Sequence, residues 1–333
     1  MSMNTASAGT ITLSVDEAHS LGERAIQRIG YSAEEARVIT PILIDAALCG
    51  YASHGLPRII TMAEHPRTQQ PRRPVRIVHE TPCSALVDGG NYIGFYAVHR
   101  AAEIAIEKAR ASRFALVGVH DSFISGRSAY YLEKIARAGF AGMMTACSAP
   151  VVVPLGGAKP ALGTNPIAFG LPGEPNPYLF DMSTAATNHG DVLMAKRLGE
   201  NLPSGLAVDE RGLPTTDPVA ALAGGILTFG GHRGHGLSVT IQALGLLAGA
   251  ALPRGQVQDF AFLFVVFDPG LLVPPEQFKQ QLAELLGRIR STPTQLGIDE
   301  VRIPSERAFA EREKRRRTGI VLERVLYDRL NSL

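Results

Sequence analysis

Apolar residues in the first fifty positions recur every three or four residues, which is the spacing of one buried helix face. Two S-x-x-E capping boxes, Ser14-Val-Asp-Glu17 and Ser32-Ala-Glu-Glu35, each stand at the start of an apolar run. The pattern predicts two helices, the second of which ends near Gly50. A turn over residues 51–58 and a polar linker over residues 65–74 are predicted to follow it.

From about Ile77 the pattern alternates between short strand-like runs and helical ones. It predicts strands over residues 84–88, 114–119 and 142–147, helices over residues 96–112 and 130–138, and Gly/Pro-rich loops over residues 150–166. The run Phe-Ala-Phe-Leu-Phe-Val-Val-Phe at residues 260–267 is predicted to be a buried strand, because it would aggregate if exposed. The remaining pieces, residues 278–289 and 305–333, are predicted to be rich in helix.

The charge of the chain is nearly balanced, with 33 Lys and Arg against 31 Asp and Glu in 333 residues and a formal charge of +2. A protein that coats nucleic acid would carry a strong basic excess, so that class is excluded. The charge cluster Lys314-Arg-Arg-Arg317 has Glu311 and Glu313 beside it and is predicted to be a solvated helix face. Hydrophobic residues make up 45% of the chain, which excludes general disorder.

The sequence carries no signal for secretion, membrane insertion or metal binding. Its N-terminus lacks a basic stretch followed by an apolar one, and its longest apolar runs fall short of the roughly 20 residues that a membrane span needs. The three cysteines, Cys49, Cys83 and Cys147, lie far apart without a CxxC motif, which argues against a disulfide framework or a structural zinc. We therefore expect a soluble, cytoplasmic protein that binds no metal, membrane or nucleic acid.

The common nucleotide-binding fingerprints are missing from the sequence. No G-x-G-x-x-G follows a strand, and there is no G-x-x-x-x-G-K-[ST]. The segment Gly230-Gly-His-Arg-Gly-His-Gly236 could form a backbone nest for an anion, and a plain buried turn explains it equally well.

A second candidate is the segment that contains His54 and Arg58. On a turn after a helix, His54 could act as a general acid near neutral pH and Arg58 could hold a carboxylate. The alternative is a helix C-terminus at which both side chains satisfy backbone carbonyls, and without further support this alternative is favoured.

Two further polar segments could face a ligand. Asp181 follows an apolar strand end, where a carboxylate often holds a ligand hydroxyl or orients a His, although an Asx-turn or an N-cap is the simpler explanation. Thr164 and Asn165 lie in a polar kink between apolar pieces, where they could face a ligand or tie down the loop.

The order of these segments resembles the type 2 malate/L-lactate dehydrogenase family. The resemblance is carried by the following motifs: Ser53-His-Gly-x-x-Arg58, Pro154-Leu-Gly-Gly157, Leu162-Gly-Thr-Asn-Pro-Ile-Ala-Phe169, Asp181-Met-Ser-Thr184, the His232-Arg233-Gly234 turn and the tail from Arg302 to Leu322. It extends over nearly the whole chain, from about Ser14 to Leu322.

The resemblance implies a mixed α/β fold that binds NADPH or NADH without a Rossmann domain. A largely antiparallel sheet would carry the cofactor, and a helical domain would be made from both termini. Residues 1–76 would form the N-terminal helical part, residues 77–298 the cofactor-binding part, and residues 299–333 a helical segment that returns to the first part. Members of the family are typically homodimers.

The resemblance also implies a role for each motif. Ser53, His54 and Asp191 would form a proton relay with His54 as donor, and Arg58 and Thr164 would bind the substrate. The cofactor would be lined by Ile124, Ser125, Gly126, Arg127, Ser128, Asp181, Met182, Ser183, His232, Arg233, Ser305, Glu306 and Arg307. Arg127 or Arg307 could meet a 2′-phosphate or serve as a surface ion-pair partner, so the choice of cofactor stays open.

One position helps to choose between the branches of that family, and two others depart from the family pattern. Asp191 stands in Asn188-His-Gly-Asp191, where hydroxy-acid members usually have a Lys and the reductases of Δ1-piperideine-2-carboxylate and Δ1-pyrroline-2-carboxylate resemble this chain. Ile124 replaces a His of the usual His-Phe-Gly or His-Phe-Ala, which removes a polar group that could steady an alkoxide. His120, four residues earlier, is not expected to replace it. In the tail, the usual Pro-Gly-Glu becomes Pro304-Ser-Glu306.

We therefore expect an NAD(P)H-dependent reductase of cyclic imine 2-carboxylates. The alternative enzyme is a 2-oxo or 2-hydroxy acid dehydrogenase of the malate, lactate or ureidoglycolate type. An alternative of another class is a cofactor-binding protein with little catalysis.

Overall fold

The computed structural model describes residues 9–251 and 260–333, and the chain divides into two compact units. Residues 9–71 and 305–333 form the terminal unit, and residues 72–251 and 260–304 form the central unit. Among the described residues, the α-helices are α1 (Val15–Arg28), α2 (Ala33–Leu48), α3 (Arg58–Glu64), α4 (Gly94–Ser112), α5 (Ser128–Arg137), α6 (His189–Leu198), α7 (Pro218–Ala223), α8 (His232–Leu247), α9 (Pro275–Arg290), α10 (Glu306–Thr318) and α11 (Arg324–Ser332).

The strands of the same residues are β1 (Thr10–Leu13), β2 (Arg76–Thr81), β3 (Ser84–Ile93), β4 (Phe114–Phe123), β5 (Ala141–Cys147), β6 (Ile167–Leu171), β7 (Tyr178–Met182), β8 (Ala207–Val208), β9 (Pro214–Thr215), β10 (Gly225–Ile226), β11 (Phe260–Phe267) and β12 (Ile320–Glu323). Single turns of 3-10 helix cover Ala52–His54, Pro66–Gln69 and Pro269–Leu271. None of the described helices has the length and apolarity that crossing a membrane requires.

Both predicted capping boxes are present in the terminal unit. At the start of α1, the Glu17 amide donates to Ser14 Oγ at 3.2 Å, and the Ser14 amide donates to the Glu17 carboxylate at 2.8 Å. Ser32 and Glu35 make the same two bonds at the start of α2. Each pair satisfies amides at a helix start that have no partner within the helix.

The C-terminal segment contains a strand that its helical pattern did not predict. β12 pairs antiparallel with β1, and Leu13 lies opposite Ile320. The basic run in α10 is only partly a solvated face, because Arg315 donates to the carbonyl of Ala47 at the end of α2 at 2.9 Å. Lys314 and Arg316 are exposed and pair with glutamates of the same helix, as predicted.

The central unit is built on a seven-stranded sheet in the order β2-β3-β4-β11-β5-β6-β7. Only the β3–β4 pair is parallel among these strands, so the fold is mixed α/β with a mostly antiparallel sheet. β11 lies in the middle with both neighbours antiparallel, and Phe262 and Phe264 are buried. The predicted buried strand at residues 260–267 is confirmed.

Helices cover both faces of this sheet. Tyr131 of α5 packs edge-on against Phe264, and Ala248, just after α8, packs with Leu263. Because neighbouring side chains of a strand point to opposite faces, α5 and α8 lie on opposite sides of β11. A smaller sheet of order β10-β8-β9 packs with α6 and α7 around Val152, Val192 and Ile226.

Candidate active site

The His54 segment of the terminal unit is a single turn of 3-10 helix between α2 and α3. Ser53 Oγ lies 3.0 Å from His54 Nδ1, and the Tyr51 ring meets the imidazole edge-on with 6.5 Å between centroids. Gly55 follows without a side chain, because a Cβ there would lie 2.9 Å from the Cβ of Ala47. The imidazole of His54 is half-buried on this turn and contacts both Ser53 and Tyr51.

Arg58 is the first residue of α3, and only 8% of its surface is exposed. The alternative in which it sits at a helix C-terminus is wrong, because α2 ends ten residues earlier and its Ala47 carbonyl is bound by Arg315. A guanidinium can hold a carboxylate by paired hydrogen bonds, so Arg58 stays a candidate for binding the substrate carboxylate.

The start of α10 reaches the same turn. Ser305 precedes the helix in a left-handed conformation, with φ +68°, and Glu306 and Arg307 form the first turn. The guanidinium of Arg307 lies 5.3 Å from the centre of the Tyr51 ring, which in turn contacts His54. Tyr51 is a site residue that the sequence motifs missed. The signal was an aromatic residue three positions before the His.

The segment from Ile124 to Ser128, called the 124–128 loop below, links β4 to α5 in the central unit. Ile124 has φ +45°, a left-handed conformation that is strained for a β-branched side chain. Tyr131 donates to the carbonyl of Ser125 at 2.7 Å, and Gly126 has φ +74° and faces Phe95 so closely that a Cβ would overlap the ring. Strain of this kind persists only where the surroundings fix it, as at many functional sites.

Asp181 fixes the far end of this loop. Its carboxylate accepts the amide of Ala129 at 2.9 Å and also the amide of Ser128, so it caps the N-terminus of α5. Burial raises the pKa of Asp181, against the opposing effects of these amides and of Arg127. Asp181 is therefore not the local Asx-turn or N-cap that was the simpler prediction, because it lies within β7 and caps a helix that begins more than fifty residues before it.

Thr164 and Ser183 are joined at the strand ends β6 and β7. Ser183 Oγ donates to the Thr164 carbonyl at 2.8 Å, and the Thr184 amide donates to the same oxygen at 3.0 Å. Asn165 is fully buried and donates to Ser238 and Gln242 of α8, so its side chain ties down the loop. Met182 lies opposite Ile167 in the ladder. Thr164, half-buried, remains a candidate ligand contact.

His232 and Arg233 do not lie in a turn, which corrects the prediction for residues 230–236. They open helix α8, and the turn is confined to Gly230 and Gly231, with φ +54° and +61°. Both His232 and Arg233 are exposed. The Phe229 amide donates to the Thr184 carbonyl at 3.1 Å, which connects this helix start to the Thr164–Ser183 pair.

Asp191 stands in the first turn of α6. The side-chain amide of Asn188 donates to its carboxylate at 3.1 Å. The predicted relay joins Asp191 of the central unit to Ser53 and His54 of the terminal unit, and it stays a prediction. His120 packs against Gly249, whose added Cβ would lie 2.7 Å from the imidazole.

Several of these groups fit a dinucleotide. The first turn of α8 follows Gly231, which has no side chain to cap it, and carries an exposed arginine, so it suits a phosphate. The hydroxyl of Ser128, on the 124–128 loop, is buried and has no hydrogen-bond partner among the described residues. No cluster of three or more His, Cys, Asp or Glu side chains that could hold a metal occurs within residues 9–251 and 260–333.

A family model for malate/L-lactate dehydrogenase matches residues 13–331. The chain belongs to this family. The predicted resemblance is thereby confirmed. The chain is an oxidoreductase, and membership implies a nicotinamide cofactor.

Relatives within the family differ in their named substrates. The chain is 36% identical over 308 residues to L-sulfolactate dehydrogenase of Methanothermobacter thermautotrophicus, with 89% of each chain covered. It is 32% identical over 336 residues to Δ1-pyrroline-2-carboxylate reductase of Ancylobacter novellus, with 97% of each covered. A dehydrogenase of Sinorhizobium meliloti has the same fold, with a TM-score of 0.89, 29% identity and 98% of each chain covered.

Proposed function

We propose that the chain reduces cyclic imine 2-carboxylates, namely Δ1-pyrroline-2-carboxylate or Δ1-piperideine-2-carboxylate, to L-proline or L-pipecolate. The observation that carries the proposal is Ile124. It opens the 124–128 loop in a strained left-handed conformation and offers no hydrogen-bond donor on its side chain. The relative named Δ1-pyrroline-2-carboxylate reductase supports the same substrate class.

Imine reduction tolerates this apolar side chain better than oxo-acid reduction does. A protonated imine already has an electrophilic C2, so little negative charge develops at its nitrogen during reduction. An oxo acid develops an alkoxide, which gains from a second polar group beside it. An isoleucine at position 124 should therefore slow the reduction of an imine less than the reduction of an oxo acid.

Each remaining residue has a role in the proposed reaction. Arg58, with Thr164, holds the substrate carboxylate and so fixes the orientation of C2. His54 gives a proton to the imine nitrogen. Ser53 Oγ lies 3.0 Å from His54 Nδ1, within hydrogen-bond distance, and is proposed to take part in the same relay. Asp191 is proposed to hold the imidazole in the useful tautomer.

The bound cofactor, NADPH or NADH, supplies a hydride to C2. Its non-Rossmann site in the central unit would be formed by the 124–128 loop, the Asp181–Ser183 segment and the start of α8. Arg127, the candidate of this unit for a 2′-phosphate, is buried beside Asp181, so the choice between NADPH and NADH stays open. A homodimer in the cytoplasm is part of the same proposal.

The second candidate is a 2-hydroxy acid dehydrogenase, and the sulfolactate dehydrogenase relative at 36% identity favours it. The variant Ile124→His separates the two. If Ile124 sets the substrate class, the variant gains oxo-acid reduction by about tenfold or more, the size expected of one added polar group. The conservative variant Ile124→Val is the matched control. An unchanged ratio of oxo-acid to imine activity in Ile124→His would contradict the argument from this residue.

A further inference from the structure

A pocket outside the candidate active site lies in the central unit, between β2, β3 and the outer face of α4. Its cavity measures about 510 Å³, within the range of roughly 300–1,000 Å³ that is typical of small-molecule sites. Arg76, Tyr92, Tyr96 and Arg100 line this pocket, and Ile77 and Ile104 form part of its apolar wall. None of these residues belongs to the candidate active site.

Two tyrosines of the pocket are stacked on one another. The rings of Tyr92 and Tyr96 lie 4.8 Å apart between centroids with 30° between their planes, which is closer than two rings side by side in one plane could come. The guanidinium of Arg72 lies 5.7 Å from the centre of the Tyr92 ring. Because both of these contacts involve Tyr92, a planar ligand ring would stack on the other face of Tyr96, which is half-buried.

Two arginines line the same cavity with exposed side chains. Arg76 and Arg100 are 64% and 56% exposed, and their carboxylate partners are shared with other cations. Asp88 bonds both Arg76 and Arg73, at 3.3 and 3.4 Å, and Glu103 bonds both Arg100 and Lys134, at 2.6 and 2.8 Å. The pocket therefore carries an excess of positive charge, and guanidiniums suit the oxygens of a phosphate.

We propose that this pocket binds a nucleoside monophosphate, whose base stacks on Tyr96 while its phosphate meets Arg76 and Arg100. The site is distinct from that of the nicotinamide cofactor and does not depend on the proposed imine substrate.

The test is a calorimetric titration of AMP into the full-length protein saturated with its preferred nicotinamide cofactor, which removes AMP binding at the cofactor site. We expect one AMP per chain, bound at least tenfold more weakly by Arg100→Gln and by Tyr96→Leu. Arg110→Gln, on the exposed side of the same helix, is the matched control and should bind normally. Adenosine alone and inorganic phosphate alone should each bind at least tenfold more weakly than AMP.

Three results would overturn the proposal. AMP could fail to bind once the cofactor is saturating, which would place all its binding at the cofactor site. Arg100→Gln could bind AMP as well as Arg110→Gln does, which would remove the arginine from the site. Phosphate alone could bind as tightly as AMP, which would mean that the pocket recognises an anion without its base.

Discussion

The His54 turn and the 124–128 loop are the two segments most directly tied to the proposed chemistry, and they are positioned by different means. The His54 turn is a single turn of 3-10 helix, held by Ser53, Tyr51 and the close approach that Gly55 permits. Its neighbours in the sequence contribute several of its contacts, and Arg307 contributes another through the Tyr51 ring.

The 124–128 loop depends instead on residues far along the chain. Asp181 caps the helix that follows it, Phe95 leaves no room for a side chain at Gly126, and Gly94 packs against the backbone of Ile124. The loop can therefore hold a strained Ile124, because its surroundings fix it from several sides. The difference indicates that a substitution at Gly126 disturbs packing within the central unit, whereas a substitution at His54 changes a side chain on a half-buried turn of the terminal unit.

The largest effect is expected at His54. His54→Ala should lower kcat for the best imine by about a hundredfold to ten-thousandfold, because the proton donor is lost while the carboxylate contact stays. Initial rates against substrate concentration give kcat and KM separately. His79→Ala, an exposed His on β2, is the control. Turnover within a factor of ten of the parent would exclude His54 as the donor.

The next effect concerns substrate binding by the terminal unit. Arg58→Gln should raise KM for the imine by about 30- to 150-fold, because a hydrogen bond to a charged group contributes roughly 2–3 kcal/mol. Arg24→Gln, an exposed arginine on α1, is the control, and circular dichroism checks that each variant folds. A folded Arg58→Gln protein with an unchanged KM would remove Arg58 from the substrate site.

The close packing of the 124–128 loop against Phe95 can be tested by adding one methyl group at Gly126. Gly126→Ala should destabilise the protein by about 2–3 kcal/mol, because its positive φ is strained for alanine and the new Cβ overlaps Phe95. Gly205→Ala has a similar φ, +80°, but nothing within 4 Å, so it should cost about 1 kcal/mol. Urea denaturation compares the two. Equal losses would show that Phe95 does not hold the loop.

A smaller effect is expected on the pH dependence of the unfolding free energy, through His65 of the terminal unit. Burial, with a contribution from Arg67, lowers the pKa of His65 from 6.5 to about 4. Between these values the unfolded chain binds a proton that the folded chain does not, so stability falls as the pH drops from about 6.5 to 4. The loss should be about 1 kcal/mol, since the imidazole is partly exposed to solvent.

The variant His65→Asn tests this origin. It keeps an acceptor for the Arg67 amide, which now donates to His65 Nδ1 at 3.3 Å, but it cannot be protonated. Its unfolding free energy, measured by urea titration at pH 6.5 and pH 4.5, should fall less than that of the parent. An identical fall in both proteins would assign the pH dependence to other groups.

The features that the sequence predicted correctly are those with a local cause. The capping boxes at Ser14 and Ser32 join residues three positions apart, and the buried strand at residues 260–267 follows from its own apolarity. The motif around His54 is local as well. The family assignment rests on several such motifs taken in order.

The features that it missed depend on distant partners. β12 exists because β1, about 310 residues earlier, pairs with it. Helix α8 contains several glycines and has a low intrinsic preference for helix, but Gly245 packs so closely on Cys147 that a Cβ would overlap its sulfur. Asp181 caps a helix that begins far before it. No local pattern can predict such contacts.

The substrate class is the central claim, and one comparison tests it most directly. The parent protein is assayed at one pH, with NADPH and with NADH, against Δ1-pyrroline-2-carboxylate, Δ1-piperideine-2-carboxylate, pyruvate and oxaloacetate. We predict that kcat/KM for the better imine exceeds that for either oxo acid by at least a hundredfold. Reduction of pyruvate or oxaloacetate with a kcat/KM equal to or above that of both imines would contradict the account.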